Sequence, residues 1–143
     1  MKRFQFTLHG ILKVRHLEED RRRADVAKAH RFMLDRESDR ERLLLQIREA
    51  ETLALGTGRL DLQQLESSLR YAKALRLKLS TLEGIIERAR QHLLGCQQRL
   101  QAARLETKRL EVAEEQQRQR WSEEARRDEF READERNSRR TEL

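Results

Sequence analysis

Residues 79–110 read LSTLEGIIERARQHLLGCQQRLQAARLETKRL. Within this stretch Leu79, Leu82, Ile86, Ala89, Leu93, Cys96, Leu100, Ala103, Thr107 and Leu110 follow one another in steps of three and four residues without a break. All of them are apolar or small. A 3.5-residue repeat draws one apolar line along an α-helix, and that line needs a partner helix to cover it. The next positions in the same register are Glu114, Gln117, Trp121 and Glu124. The apolar line therefore ends near Leu110, and the covering helix is expected to end with it.

The cover is found upstream. Phe4, Leu8, Ile11, Val14 and Leu17 sit close to one helix face, and Ala24, Ala27, Phe32 and Leu34 continue it. Leu43, Leu44, Leu45, Ile47, Ala50, Leu53 and Leu55 then form a dense apolar segment. Gly56-Thr57-Gly58 is the break, because paired glycines open a turn at little steric cost. Asp61, with Gln64 three residues later, has the spacing of a helix N-cap and capping box. The expected fold is all-α, a long antiparallel two-helix coiled-coil hairpin forming a single domain over residues 1–143. Helix one covers about 7–55, the turn 56–61, and a longer helix two about 62–140. Folding back symmetrically at Thr57 and Gly58 opposes residues whose numbers sum to about 115–117. Leu17 then faces Leu100, Ala24 faces Leu93, and helix two projects unpaired beyond about residue 111.

Composition agrees with long helices rather than a thick core. Charged residues make up 41%, hydrophobic residues 36%, and there is no proline. A globular domain is nearer half apolar. Glu18–Arg22, Glu19–Arg23, Glu66–Arg70, Glu114–Arg118, Glu123–Arg127, Glu132–Arg136 and Glu135–Arg139 each place an acid four residues before a base. Each such exposed pair supports a helix by about 0.2–0.5 kcal/mol. No run of apolar residues is long enough to span a membrane. Met1-Lys2-Arg3-Phe4 leads into no apolar segment, so no secretory signal is expected and the setting is cytoplasmic. Cys96, the one cysteine, lies on the apolar line as a core filler.

Catalytic chemistry is not signalled. His9, His16, His30 and His92 are scattered without metal-ligand spacing, and Gly56 and Gly58 are not followed by a phosphate-loop sequence. Two helices offer no large concave pocket. The expectation is a non-enzyme without metal or cofactor, working through its surfaces. Net charge is +6. An arginine-rich nucleic-acid binder is the alternative from another class. Against it, the arginines are interleaved with acids and few aromatics are present to stack on bases. A hairpin that closes its own seam predicts a monomer, whereas a generic coiled coil predicts a homodimer.

Phe4-x-Phe6-x-Leu8-x-x-Ile11-Leu12, followed by Arg15 and Glu18-Glu19, resembles the start of the flagellar export protein family FliJ. The Gly-containing turn, the run Leu62, Leu65, Leu69, Tyr71, Leu75, and the tail with Asp128-Glu129, Asp134-Glu135 and Arg139-Arg140 extend the resemblance along the whole chain. It implies a central-stalk-like coiled coil at the cytoplasmic side of the flagellar base. The terminal end would enter and stimulate the hexameric export ATPase. The turn-proximal region would touch the cytoplasmic part of the export-gate membrane protein, and export chaperones would be further partners. The equivalent stalk of a virulence type III secretion system is the close alternative. By position the gate-contacting pair corresponds to Tyr71 and Leu75, and the aromatic that usually precedes it is Ser68 here. At the other end Phe4, Phe6, Trp121 and Phe130 are bulky groups at or beyond the end of the paired helices, the residue types that anchor contacts. Arg127 and Arg139 lie among the mixed charges that could face a ring.

Overall fold

The computed structural model describes residues 3–55 and 61–142. It contains two helices packed as an antiparallel hairpin, α1 (His9–Leu55, 47 residues) and α2 (Leu62–Thr141, 80 residues). The Gly56-Thr57-Gly58 turn lies outside the described residues. Asp61 accepts the Leu65 amide on its carbonyl at 3.0 Å, the bond that defines an N-cap position. At the far end of α2, Arg139 and Arg140 in the last turn match the negative pole of the helix dipole. Contacts group the chain into two units, one holding α1 up to Arg21 with α2 from Leu100, the other spanning Arg22–Arg99.

In the unit Arg22–Arg99, α2 buries or half-buries Leu65, Ser68, Ala72, Leu75, Leu79, Leu82, Ile86, Ala89, Leu93 and Cys96. These are the expected heptad line, extended back to the first turns of the helix. α1 answers with Arg22, Val26, Ala29, Met33, Arg36, Arg40, Leu43, Ile47 and Ala50, also in steps of four and three. Two apolar clusters result. Ile47, Ala50, Ala72 and Leu75 form one, flanked by Leu43 and Leu79. Ala29, Leu93 and Cys96 form the other, flanked by Val26 and Met33. On α1, Arg36 and Arg40 lie between the residues of these clusters. Their Nε atoms are buried without a hydrogen-bond partner, although Arg36 reaches Asp39 at 3.2 Å and lies over the Phe32 ring at 5.2 Å. Glu37–Arg90 (3.6 Å) and Glu51–Arg76 cross between the helices.

In the other unit, α2 continues the line through Leu100, Ala103, Thr107, Leu110, Glu114, Gln117 and Trp121. α1 supplies Leu12, Arg15 and Glu19. Glu19 is 9% exposed and meets Arg104 at 3.8 Å, and His16 lies 3.5 Å from Glu111. Residues 3–6 precede the helix outside any regular element, with Phe6 buried and Phe4 half-buried.

Three expectations are corrected. Ile11, Val14 and Leu17 are 49%, 61% and 62% exposed, and Ala24, Ala27, Phe32 and Leu34 also face outward. Successive steps of three precess round a helix, so that run cannot stay on one seam, whereas Leu12, Arg15 and Glu19 can. The pairing register also differs. Charge pairs that cross the seam in the unit Arg22–Arg99 sum to 127, as in Glu37 with Arg90 and Glu51 with Arg76, while the buried pair Ala29 and Cys96 sums to 125. Those in the other unit run from 123, for Glu19 with Arg104, to 127, for His16 with Glu111. All of these values exceed a fold-back centred on Thr57 and Gly58, because the heptad lines dock where their buried positions coincide. Finally, α2 is covered beyond residue 111, since residues 4–7 reach Gln117 and Trp121.

Truncating Leu75, 3% exposed in its cluster, is expected to cost about 2–5 kcal/mol. Leu77→Ala, at a 71% exposed site, should stay within about 0.5 kcal/mol of wild type. A Cβ at Gly84 meets nothing within 4 Å, so Gly84→Ala should stabilise by about 1 kcal/mol. Thermal unfolding followed by circular dichroism checks all three.

Candidate functional site

The terminal candidates separate into two groups. Phe4 packs on Trp121 with ring centroids 5.8 Å apart and an interplanar angle of 54°. The Arg118 guanidinium covers the Phe4 ring at 5.4 Å and is held by Glu114 at 3.3 Å. Gln117 donates to the Thr7 hydroxyl at 3.4 Å. Phe6 is 7% exposed. Gln5 between the two rings is exposed. Phe4, Phe6 and Trp121 thus spend their apolar surface within the chain. The signal for this lay in the two aromatics ahead of α1 and the one aromatic on the α2 heptad line.

From Glu123 onward α2 is exposed at every position except Ala125, which is half-buried. Phe130 is 72% exposed there, the largest open apolar group of this stretch. Glu132–Arg136 closes at 3.4 Å, one of the expected pairs along with Glu66–Arg70 (2.9 Å) and Glu114–Arg118 (3.3 Å). Arg127 lies on the Phe130 side of the helix. Arg139 lies nine residues on, two and a half turns, so it faces the opposite side. Arg126, Ala133 and Asn137 share the Phe130 side instead, and sequence reading had not singled them out. Ala133, Arg136, Asn137, Arg139 and Arg140 line a shallow depression on this helix.

The second candidate pair is also divided. Tyr71 is 56% exposed, whereas Leu75 is 3% exposed inside the cluster with Ile47, Ala50 and Ala72. Leu75 therefore holds the two helices together and has no surface to offer. Tyr71 stands in a groove with Ser68 of α2 and Gln46, Glu49, Ala50 and Leu53 of α1. Leu53 is 68% exposed. It belonged to the dense apolar segment 43–55, which holds more apolar residues than one seam can bury.

Among the described residues no group of His, Cys, Asp and Glu could hold a metal ion, and no helix is long and apolar enough to cross a membrane. The arrangement offers solvent-facing apolar side chains set among charges, which is the chemistry of protein contact surfaces. The family model described as flagellar FliJ protein matches residues 4–142. No curated protein and no solved structure matches the chain. With nearly its whole length matched, the chain belongs to the FliJ family and is a component of the flagellar type III export apparatus, in a family whose members are non-enzymatic.

Removing the ring that covers Trp121 should shift its fluorescence. Phe4→Ala is expected to red-shift the emission of this one tryptophan, while Phe130→Ala leaves it unchanged.

Proposed function

From membership of the FliJ family, we propose that this chain is the central-stalk-like element of flagellar protein export. Its terminal end enters the hexameric export ATPase and stimulates it. The surface around Tyr71 contacts the cytoplasmic part of the export-gate membrane protein, and export chaperones are further partners. The protein works on the cytoplasmic side, peripheral to the membrane at the flagellar base through those partners, as a monomer.

The observation that carries the ATPase contact is the stretch of α2 beyond Ala125. It is helical to Thr141, exposed at every described position, and presents Phe130 to solvent. An exposed aromatic on a rigid helix, flanked by arginines, is the composition of an interface anchor. Phe130 with Arg127 is the core of this contact, and Arg139 serves the opposite side of the same helix. Phe4, Phe6 and Trp121 act indirectly, by fixing the chain where that helix leaves its cover. At the gate contact, Tyr71 and Leu53 provide the open apolar surface, and Leu75 supports Tyr71 from within.

The ATP hydrolysis rate of the cognate export ATPase, measured with and without the protein, tests the terminal contact. The full chain should stimulate it. A chain truncated after Ala125 keeps the Phe4–Trp121 contact and should lose most of the stimulation, with Phe130→Ala intermediate. Equal stimulation by the truncated chain would refute the assignment. At the gate, Tyr71→Ala and Leu53→Ala should each weaken binding to the purified cytoplasmic domain by about tenfold, with unchanged melting temperature.

A further inference from the structure

The seam of the unit Arg22–Arg99 is interrupted at one level. Arg36 and Arg40 stand four residues apart on the α1 heptad line, and their Nε atoms are buried without a hydrogen-bond partner. In the register that pairs Glu37 with Arg90 and Ala29 with Cys96, they lie across from Ala89 and Ile86. Ile86 is 2% exposed and Ala89 is buried too, yet neither belongs to the cluster around Leu75 or to the cluster around Cys96. The arginine methylene stems are the cover that this register provides for them.

Ion pairs at this level run mostly along α1. Arg36 meets Asp39 at 3.2 Å, Arg42 meets Asp39 at 3.9 Å, and Arg40 meets Glu41 at 3.9 Å. None of these pairs requires α2. Glu37–Arg90 crosses the seam at 3.6 Å, but Arg90 is shared with Glu87 of its own helix at 3.8 Å. On the turn side of this level, Ile47, Ala50, Ala72 and Leu75 are the buried residues that hold 43–55 against 62–82. The same stretches leave Leu45, Leu53, Leu55, Leu62, Leu69 and Leu77 exposed. The last turn of α1 carries no base and the first turn of α2 no acid, so side-chain charge does not offset the helix dipoles at these two ends.

We propose that the Arg36–Arg40 level is a built-in boundary, at which residues 43–55 and 62–82 open as a cooperative unit of their own. The seam around Ala29, Leu93 and Cys96 stays closed while they do. Opening that stops at this level hydrates both Nε groups, so it relieves a desolvation penalty that a break elsewhere along the seam leaves in place. Proteins open in contiguous sub-global units of this kind, with the weakest cluster first. The device lets one end of the unit expose its apolar seam and reclose without the whole unit unfolding. It rests on the packing of this unit and not on the export role.

Amide hydrogen exchange of the full chain, read by mass spectrometry of its peptides, is the test. Protection should step down by about tenfold or more on passing the arginine level towards the turn, between 36 and 43 on α1 and between 89 and 82 on α2. Leu93→Val removes a methylene from the cluster that stays closed. It should lower protection of 26–34 and 89–99 by about threefold to tenfold, and leave 43–55 and 62–82 as in wild type. Arg36→Met/Arg40→Met keeps the stems and removes the buried Nε groups. It should raise protection of 43–55 and 62–82 by about tenfold. Uniform protection along the unit, an equal loss in both segments with Leu93→Val, or no gain in the double methionine variant would each overturn the proposal.

Discussion

The apolar line on α2 must be covered, and only α1 can cover it within the chain. That constraint organises both units. Apart from Phe6, every buried residue among those described lies on one of two heptad lines. Leu12, Glu19, Ala29, Ile47 and Ala50 are on α1, and Ala72, Leu75, Ile86, Ala89, Leu93, Cys96, Leu100 and Thr107 are on α2. A two-helix seam encloses side chains from one direction only, so no third layer exists to bury what falls off these lines. Ile11, Val14, Leu17, Leu53 and Leu77 remain in solvent for that reason.

The two helices contribute unequally to the seam. α2 brings aliphatic and small residues over most of its line, whereas α1 brings Arg15, Glu19, Arg22, Arg36 and Arg40 among its apolar ones. Arginine tolerates such a place because its methylene stem packs while its head reaches water. The cost appears at Arg36 and Arg40, whose Nε atoms are buried without a partner. An unsatisfied buried polar group costs about 1–3 kcal/mol. These arginines also separate the cluster around Leu75 from the cluster around Cys96, so the core is segmented rather than continuous.

This inequality explains which parts of the fold were legible. The α2 line could be read directly, because apolar residues at 3.5-residue spacing have few other interpretations, and α2 begins beside its expected cap at Asp61. The α1 line could not, since a search for apolar residues follows Ile11, Val14 and Leu17 and passes over Arg15 and Glu19. The expected register missed for another reason, since it was taken from a symmetric fold-back at Thr57 and Gly58 whereas the buried positions set the pairing. The polar end of the α2 line misled in a similar way. Glu114 and Gln117 look like the end of a seam, yet the segment with Phe4 and Thr7 packs beside them. At the candidate sites, residue type alone does not separate side chains that face solvent, as Phe130 and Tyr71 do, from those that pack. Phe6 and Leu75 turned out to be packing residues.

The proposed stalk-like role depends on α1 and α2 of one chain closing on each other in this register, because that closure decides which side chains are left outside. Ala29 and the native Cys96 lie in one buried cluster, whereas Ala24 is exposed. Oxidising the Ala29→Cys variant and resolving it by non-reducing electrophoresis and light scattering tests the closure directly. An intramolecular 29–96 disulfide in a monomer, absent from the Ala24→Cys variant, is the predicted result. Disulfide-linked dimers in place of that product, or equal cross-linking from position 24, would contradict the intrachain seam.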